Sequence, residues 1–527
     1  MTSLTHPTDN YTVMYAEEGR YSLGQQFEDF YKIFTSRGLK HGGVHVGIKP
    51  FYVPVDPELI KHVLQIDFQH FVNHGTFIDE VNDPLSAHLF SLEDAKWRNM
   101  RVKLTPTFTS GKMKMMFQTL VQCGVGMKEL MDASAKNRIP IDIKDILCRY
   151  TTDAIGSIAF GLECNSLKDP DSVFRKYGKR VFEMDMRSQI KTLLQFALPH
   201  QVLKVFKFKQ NKPDVEEFFM KAVKDTVEFR EKNNVYRKDF MHLLIQLKNR
   251  GAVSDDGKVL NEEGRSEEKA LTMNELTAQA FIFFLAGFET SSTTMTFALY
   301  EIARHPDIQE KLRQEINGMF EKHDDQLTYD GIMELTYMDK VLNETLRKYP
   351  PFPMILRKCS RDYTIPDTQI TLKKGVNVGI PILGLHNDPK YYPNPEKFDP
   401  ERFSEENKRS RPAFTWLPFG EGPRLCIGLR FAVLQSKIGL KLGNPVTGYK
   451  SGMFRGITNK SWLRLGLQCE PRETPTEAEK LRRRKADWSY VTSLFGYAAR
   501  ISGEVLQVFL RSKKKIEVKM FFSGTDR

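Results

Sequence analysis

Apolar residues recur at intervals of three and four along most of the chain, the period of a helix with one buried face. In "DPELIKHVLQ" the spacing of Leu59, Ile60, Val63 and Leu64 predicts a short helix. The longest such segment is "NELTAQAFIFFLAGFETSSTTMTFALYEIARHP". Thr272 stands three residues ahead of Glu275, a capping-box pattern, and Pro306 closes the segment. A helix of ~33 residues at 1.5 Å each runs ~50 Å, enough to cross a whole domain. Its continuous apolar run, Ala280 to Phe288, is too short to span a bilayer, so the pattern predicts a buried central helix.

Strand-like pieces are few and short: "VHVGI", "FYVPV", "DYTIP" and "ITLKKGVNVGI". The predicted class is mainly α with small β-sheets. Between Asn387 and Pro412 the text turns to "NDPKYYPNPEKFDPERF", dense in Pro, Asn and Asp, which predicts an irregular surface meander. No repeat of 20–50 residues and no low-complexity linker divides the chain.

Charge changes the picture only at one end. The formal balance is +12 over 527 residues, but residues 441–527 hold 18 Lys and Arg against 8 Asp and Glu, leaving 60 against 58 before them. The basicity belongs to a tail, with runs at Arg482 to Lys485 and Lys513 to Lys515, and no motif accompanies it that would read nucleic acid. Six widely spread cysteines (Cys123, Cys148, Cys164, Cys359, Cys426 and Cys469) form no zinc-type cluster and fit a reducing compartment. The first 20 residues carry neither a signal-peptide core nor the ~20 apolar residues of a membrane anchor.

One cysteine has an unusual setting. In "LPFGEGPRLCIGLRF", Phe419, Gly422, Arg424, Cys426 and Gly428 give F-x-x-G-x-R-x-C-x-G. Glycines there allow turn dihedrals and the close approach of backbone to a flat ligand. The run "IGLRFAVLQSKIG" begins a helix just after the sulfur, whose amide N–H groups would stabilise a thiolate. Arg424 could pair with a carboxylate of the ligand. A flat, acidic, metal-bearing ligand is haem.

The stretch resembles the haem-ligand loop of the cytochrome P-450 family of haem-thiolate monooxygenases, and the resemblance makes Cys426 the implied axial ligand of haem b iron. Within the long helix, Ala286, Gly287, Glu289, Thr290 and Ser291 of "AGFETS" resemble the family's oxygen-activation motif. By resemblance Thr290 supplies the hydroxyl of a proton relay and Glu289 the acid behind it. Small residues there leave room over the iron, and Gly287 with Thr290 could open a helical hydrogen bond to admit water or O2. In "NETLRKYPPFP", Glu344 and Arg347 form an E-x-x-R pair. Glu262 with Arg265, Glu301 with Arg304 and Glu310 with Arg313 fit the same spacing and read as solvated i,i+3 contacts. The family ties the Glu and Arg to the arginine of "PERF", here Arg402, as a buried structural triad. Trp97 and Arg101 of "WRNMR" share a helical face and resemble the propionate-binding pair, joined by Arg357 and Arg424.

These motifs follow family order over residues 21–440. The resemblance implies an α-rich triangular prism with haem between the long helix and the cysteine-loop helix. "DPLSAHLF" and "LTPTFTSGKMKMMF" are most similar to insect microsomal members that oxidise plant toxins and insecticides. It further implies insertion of one oxygen atom of O2 into a lipophilic small molecule, with electrons from an NADPH-dependent reductase. The implied location is the cytosolic face of the endoplasmic reticulum membrane. Substrate contacts would come from residues 74–92, 281–290 and 353–356. Residues 1–20 lack the family's anchor and 441–527 are expected not to be family sequence. Two other readings stay open: a haem-binding product that does not turn over because its ends are altered, and a haem-thiolate isomerase or dehydratase, which the complete "AGFETS" disfavours.

Overall fold

The capping box forms as its spacing predicts. Thr272 Oγ1 accepts from the backbone N–H of Glu275 at 3.2 Å, Glu275 Oε2 accepts from the N–H of Thr272 at 2.8 Å, and the helix runs Met273–Arg304. This computed structural model describes residues 22–443 except 47–48, 138, 140, 184 and 252–269. The atypical N-terminus 1–20, the pair Glu262 and Arg265, and the basic tail beyond residue 443 lie outside the described residues.

The long helix is the axis of the larger core. Helices Ile143–Ile155, Pro213–Lys232, Thr336–Lys348 and Leu429–Gly443 pack around it. Along one stretch Phe281, Phe284 and Phe288 are all but fully buried: Phe281 meets Phe219 and Phe284 meets Phe160, Phe174 and Phe219 at ring-centre distances of 5.0–6.2 Å, and Phe288 stacks on Phe284 at 5.4 Å. Truncating one of these rings to Ala would cost about 3–5 kcal/mol.

A second core lies under a four-stranded sheet of β1 (His41–Val46), β2 (Lys49–Pro54), β3 (Ile355–Lys358) and β6 (Asn377–Ile380), in the order β1-β2-β6-β3. Strands β4 (Tyr363–Thr364) and β5 (Thr371–Leu372) pair separately. The predicted strand "ITLKKGVNVGI" is two strands, broken at Gly375, whose φ of +95° turns the chain. Strand β3 has no alternating pattern of its own. It pairs antiparallel with β6, Arg357 opposite Val378, and this register carries Arg357 inward. The meander is less irregular than its composition predicts: Asp399 caps a 3-10 turn Pro400–Phe403, and Ser404 caps a short helix Glu405–Ser410.

Candidate functional site

The cysteine loop is a tight reversal. The N–H of Cys426 donates to Phe419 O at 3.0 Å, around a 3-10 turn Gly422–Arg424. Gly422 has φ +73°, and a Cβ there would lie 1.9 Å from Leu64 O. What demands glycine here is the neighbouring backbone, where the sequence suggested a ligand. At Gly428 a Cβ would meet nothing nearer than Phe108 Cε1 at 3.9 Å, so the loop is open on that side. Burial pushes the Cys426 thiol up, while the Gly428 N–H donated to it and the Arg101 charge act to lower it. Cys426 is nonetheless accessible although deeply placed, a thiol facing a space inside the protein. Phe419 sets its ring edge-on to Trp416 at 6.4 Å.

Beside that space stand three arginines, none with a carboxylate of the described residues in ion-pair distance. Arg357 is 2% exposed; its Nη1 donates to Leu356 O at 2.8 Å, its Nε has no partner, and burial pushes its pKa down to about 9. Arg424 is pushed down to about 9 by burial and by Arg357. Arg101 is lowered by burial too, with the Cys426 charge acting the other way. Burial and the charges of Arg357 and Arg424 hold His74 neutral, its Nδ1 2.8 Å from Phe90 O. Desolvated like charges without counter-ions are costly and call for an anion. Arg424 also departs from its expected single role: it donates to Val72 O, Leu89 O, Phe90 O and Leu92 O at 2.6–3.3 Å and lies over Trp97.

Among the described residues no group of His, Cys, Asp and Glu could hold a bare metal ion. A lone accessible thiol needs a metal that brings its own other ligands, and the arginines need carboxylates. Haem b, with four ring nitrogens and two propionates, fits both demands; Cys426 would hold the iron, and Arg101, Arg357, Trp97 and Arg424 the propionate side.

On the long helix Ala286 is exposed although Phe284 and Phe288 beside it are buried, so it too faces an internal space. Thr290 Oγ1 donates to Ala286 O and the helix stays unbroken, without the expected opening. Gly287 serves packing rather than an opening: a Cβ there would lie 2.5 Å from Ile155 Cδ1. Glu289 turns toward helix Ile143–Ile155, where Lys144 Nζ meets its Oε1 at 2.8 Å and also donates to Ser292 Oγ and Thr293 Oγ1. Sequence reading missed Lys144.

Glu344 and Arg347 are both fully buried and form a two-pronged pair, Nε to Oε2 at 2.7 Å and Nη2 to Oε1 at 2.9 Å. Arg402 Nε approaches Glu344 Oε1 at 3.4 Å without an aligned hydrogen. Arg347 also donates to His386 O and Pro395 O, and Asp399 N–H donates to Glu344 Oε1, so the pair holds the meander. His386, also missed, is fully buried with its Nδ1 3.1 Å from Arg347 O, and its Nε2 accepts from Leu417 N–H at 3.0 Å. It joins the Glu-Arg helix to the cysteine loop. A second E-x-x-R pair corrects the solvated reading: Glu301 is 0% exposed, bound by Lys348 Nζ at 2.9 Å and by Tyr349 OH. Glu310 and Arg313 do pair on the surface.

A hollow of about 520 Å³ among Tyr392, Asn394, Arg402 and Arg411 is open and highly charged and contains neither the cysteine nor the long helix. A cleft of about 200 Å³ reaches Phe281 and Leu285 of the long helix from the outside. No helix among the described residues is long and apolar enough to cross a membrane.

The Cytochrome P450 family profile matches residues 12–442. The chain is 44% identical to cytochrome P450 6A1 of Musca domestica over 427 residues, 80% of this chain and 81% of that one. It is 42% identical to cytochrome P450 6a2 of Drosophila melanogaster over 79% of this chain and 81% of that one. Against cytochrome P450 6k1 of Blattella germanica it is 41% identical over 80% of each.

Proposed function

The chain belongs to the cytochrome P450 family, and from that premise we propose that it oxidises lipophilic small molecules with electrons from an NADPH-dependent reductase. It is a haem monooxygenase. Haem b, when bound, supplies the iron at which R–H, O2, two electrons and two protons become R–OH and water. The observation that carries the assignment of the site is the accessible Cys426 thiol, its Gly428 amide donor, and three arginines, Arg101, Arg357 and Arg424, that have no carboxylate counter-ion among the described residues.

Each residue then has a task. The Gly428 N–H and Arg101 favour the Cys426 thiolate, the form that binds iron. Arg357 and Arg101 orient the propionates, and Arg424 and Trp97 hold the loop that covers them. Thr290 keeps its hydroxyl over the helix face beside Ala286; its one proton goes to Ala286 O, so its lone pairs remain to accept from water. Glu289, held by Lys144, is the acid from which that relay is refilled. Apolar lining at Phe281 and Leu285 suits lipophilic substrates, consistent with the likeness to the insect relatives. The cytosolic face of the endoplasmic reticulum membrane is the location that goes with this reading.

The test is the reduced carbon monoxide difference spectrum of the full chain, followed by turnover with reductase, NADPH and O2. A Soret band at the long wavelength of thiolate ligation, with product that requires both reductase and O2, supports the reading. A short-wavelength band, or no haem at all, overturns Cys426 as a working ligand.

A further inference from the structure

His74 is held in one orientation by its own loop. Its ring stacks on Phe90, with centres 4.2 Å apart and planes 16° from parallel, and its Nδ1 lies 2.8 Å from Phe90 O. A carbonyl only accepts, so Nδ1 carries the hydrogen and Nε2 is left with a lone pair. No group among the described residues hydrogen-bonds to that second nitrogen. The backbone on either side is pinned: Asn73 O accepts from Lys358 N–H at 2.8 Å, and Gly75, at φ +76°, sits so close to the Lys358 stem that a Cβ would lie 3.2 Å from its Cδ. The ring lies deep in the protein yet stays partly accessible, as the Cys426 thiol does.

The charges that act on the ring are of one sign. After burial, which leads, Arg357 on β3 and Arg424 on the cysteine loop keep it neutral, and His88 on its own loop adds a smaller contribution of the same sense; the Phe90 carbonyl acts the other way. Lys358 presents its stem to Gly75, and Asp94, the carboxylate that begins the helix of Trp97, is taken by Asn73. The arginines keep their charge near neutral pH, whereas an imidazole can change its own. Carboxylates bound by Arg357 and Arg101 would offset the like charges and stabilise a cation at this place.

Resting on the proposed function, we propose that His74 is a positioning residue for haem that takes up a proton with it, neutral in the haem-free protein and imidazolium in the holoprotein. The proton comes from water and enters at Nε2, while Nδ1–H keeps the Phe90 carbonyl in both states. Arg101 and Arg357 hold a fixed charge over the same range, so they give retention no such dependence. The sign follows from linkage: the ring binds its proton more tightly when haem is present. Its contribution to retention is therefore full in mild acid and is lost as the pH rises through the value at which the haem-bound ring titrates.

Haem transfer from the ferric holoprotein to apomyoglobin tests this without any turnover, in the parent, His74→Arg and His74→Gln, between about pH 6 and pH 8. His74→Arg carries a fixed charge and should hold haem across the range; His74→Gln carries none and should release it faster throughout. The parent should release haem as slowly as His74→Arg at the acid end and approach His74→Gln at the alkaline end. Its rate relative to His74→Arg should climb about tenfold at most per pH unit, the limit for one linked proton. A ring with a merely structural task would not cross from one variant to the other. Acid that weakens thiolate ligation does so in all three proteins alike, so the ratio of rates is what is read. If His74→Gln takes up no haem, the ratio of parent to His74→Arg still decides. A ratio constant with pH overturns the proton uptake. A parent without the thiolate-type carbon monoxide band overturns the proposed function instead, so the two failures are distinct.

Discussion

The guanidinium of Arg424 lies 4.1 Å from the centre of the Trp97 ring while its N–H groups end on the carbonyls of Val72, Leu89, Phe90 and Leu92. A residue two positions before the candidate axial thiol therefore holds the loop that leads into the helix of Trp97 and Arg101. Asn73 reinforces the join: its Nδ2 donates to Asp94 Oδ1 at 3.1 Å, its Oδ1 accepts from Asp94 N–H at 2.9 Å, and its O accepts from Lys358 N–H at 2.8 Å. The two sides of the site are thereby one mechanical unit.

Removing the aromatic face beneath Arg424 should loosen haem. A desolvated cation–π contact is worth about 2 kcal/mol, so Trp97→Ala should raise the rate of haem transfer to apomyoglobin about tenfold or more, and Trp97→Phe should raise it less. Equal transfer rates in all three proteins would show that the stack has no part in retention.

The Glu344 and Arg347 pair should be intolerant of halving. Both side chains are fully buried, so Glu344→Gln or Arg347→Leu leaves one charge without its partner and should cost about 3–5 kcal/mol of stability. Denaturant unfolding of the holoprotein measures this. A loss below about 1 kcal/mol, typical of exposed pairs, would mean that solvent reaches the site.

His386 predicts acid lability with a defined sign. Burial, then the Arg347 charge, lowers its pKa from 6.5 to about 3, so below pH 6.5 the unfolded chain takes up a proton that the folded chain refuses. Stability from this group is full above that pH and falls by about 1.4 kcal/mol per pH unit on the way down toward pH 3. His386→Gln keeps an acceptor for Leu417 N–H and cannot titrate. Its unfolding free energy, followed from about pH 7 to pH 5, should fall less steeply than the parent's by that slope. Identical slopes would place the acid sensitivity elsewhere, with His88, pushed down to about 4 by burial, the next group to replace.

Thr290→Ala should separate NADPH consumption from product formation. The reduced carbon monoxide spectrum should match the parent's, because Thr290 touches helix backbone and not the thiol, while product per NADPH falls severalfold. Glu289→Gln keeps an acceptor for Lys144 but removes the acid, and should likewise lower product per NADPH. Coupling that stays at the parent's level in both variants would remove these residues from the relay.

Local pattern carried much of this protein. The long helix and its cap, the mainly α class, the helix after the cysteine and the four motifs all depend on residue types at short spacing, and periodicity and capping act within a few residues. The family, too, is legible from those motifs alone. What escaped sequence reading depends on partners distant in the chain. His386 matters because Leu417 and Arg347 come to its two ring nitrogens. Glu301 looked like any surface E-x-x-R until Lys348 and Tyr349 enclosed it. Gly287 and Gly422 are glycine because Ile155 and the Leu64 carbonyl occupy the space a side chain would need. Asp83 can be buried because amides more than a hundred residues away meet its carboxylate. Sequence spacing determined which segments form helices and where the cysteine loop turns. Only tertiary packing decided which charges are buried and which donors find acceptors, because desolvation depends on everything that closes around a group and not on its neighbours in the chain.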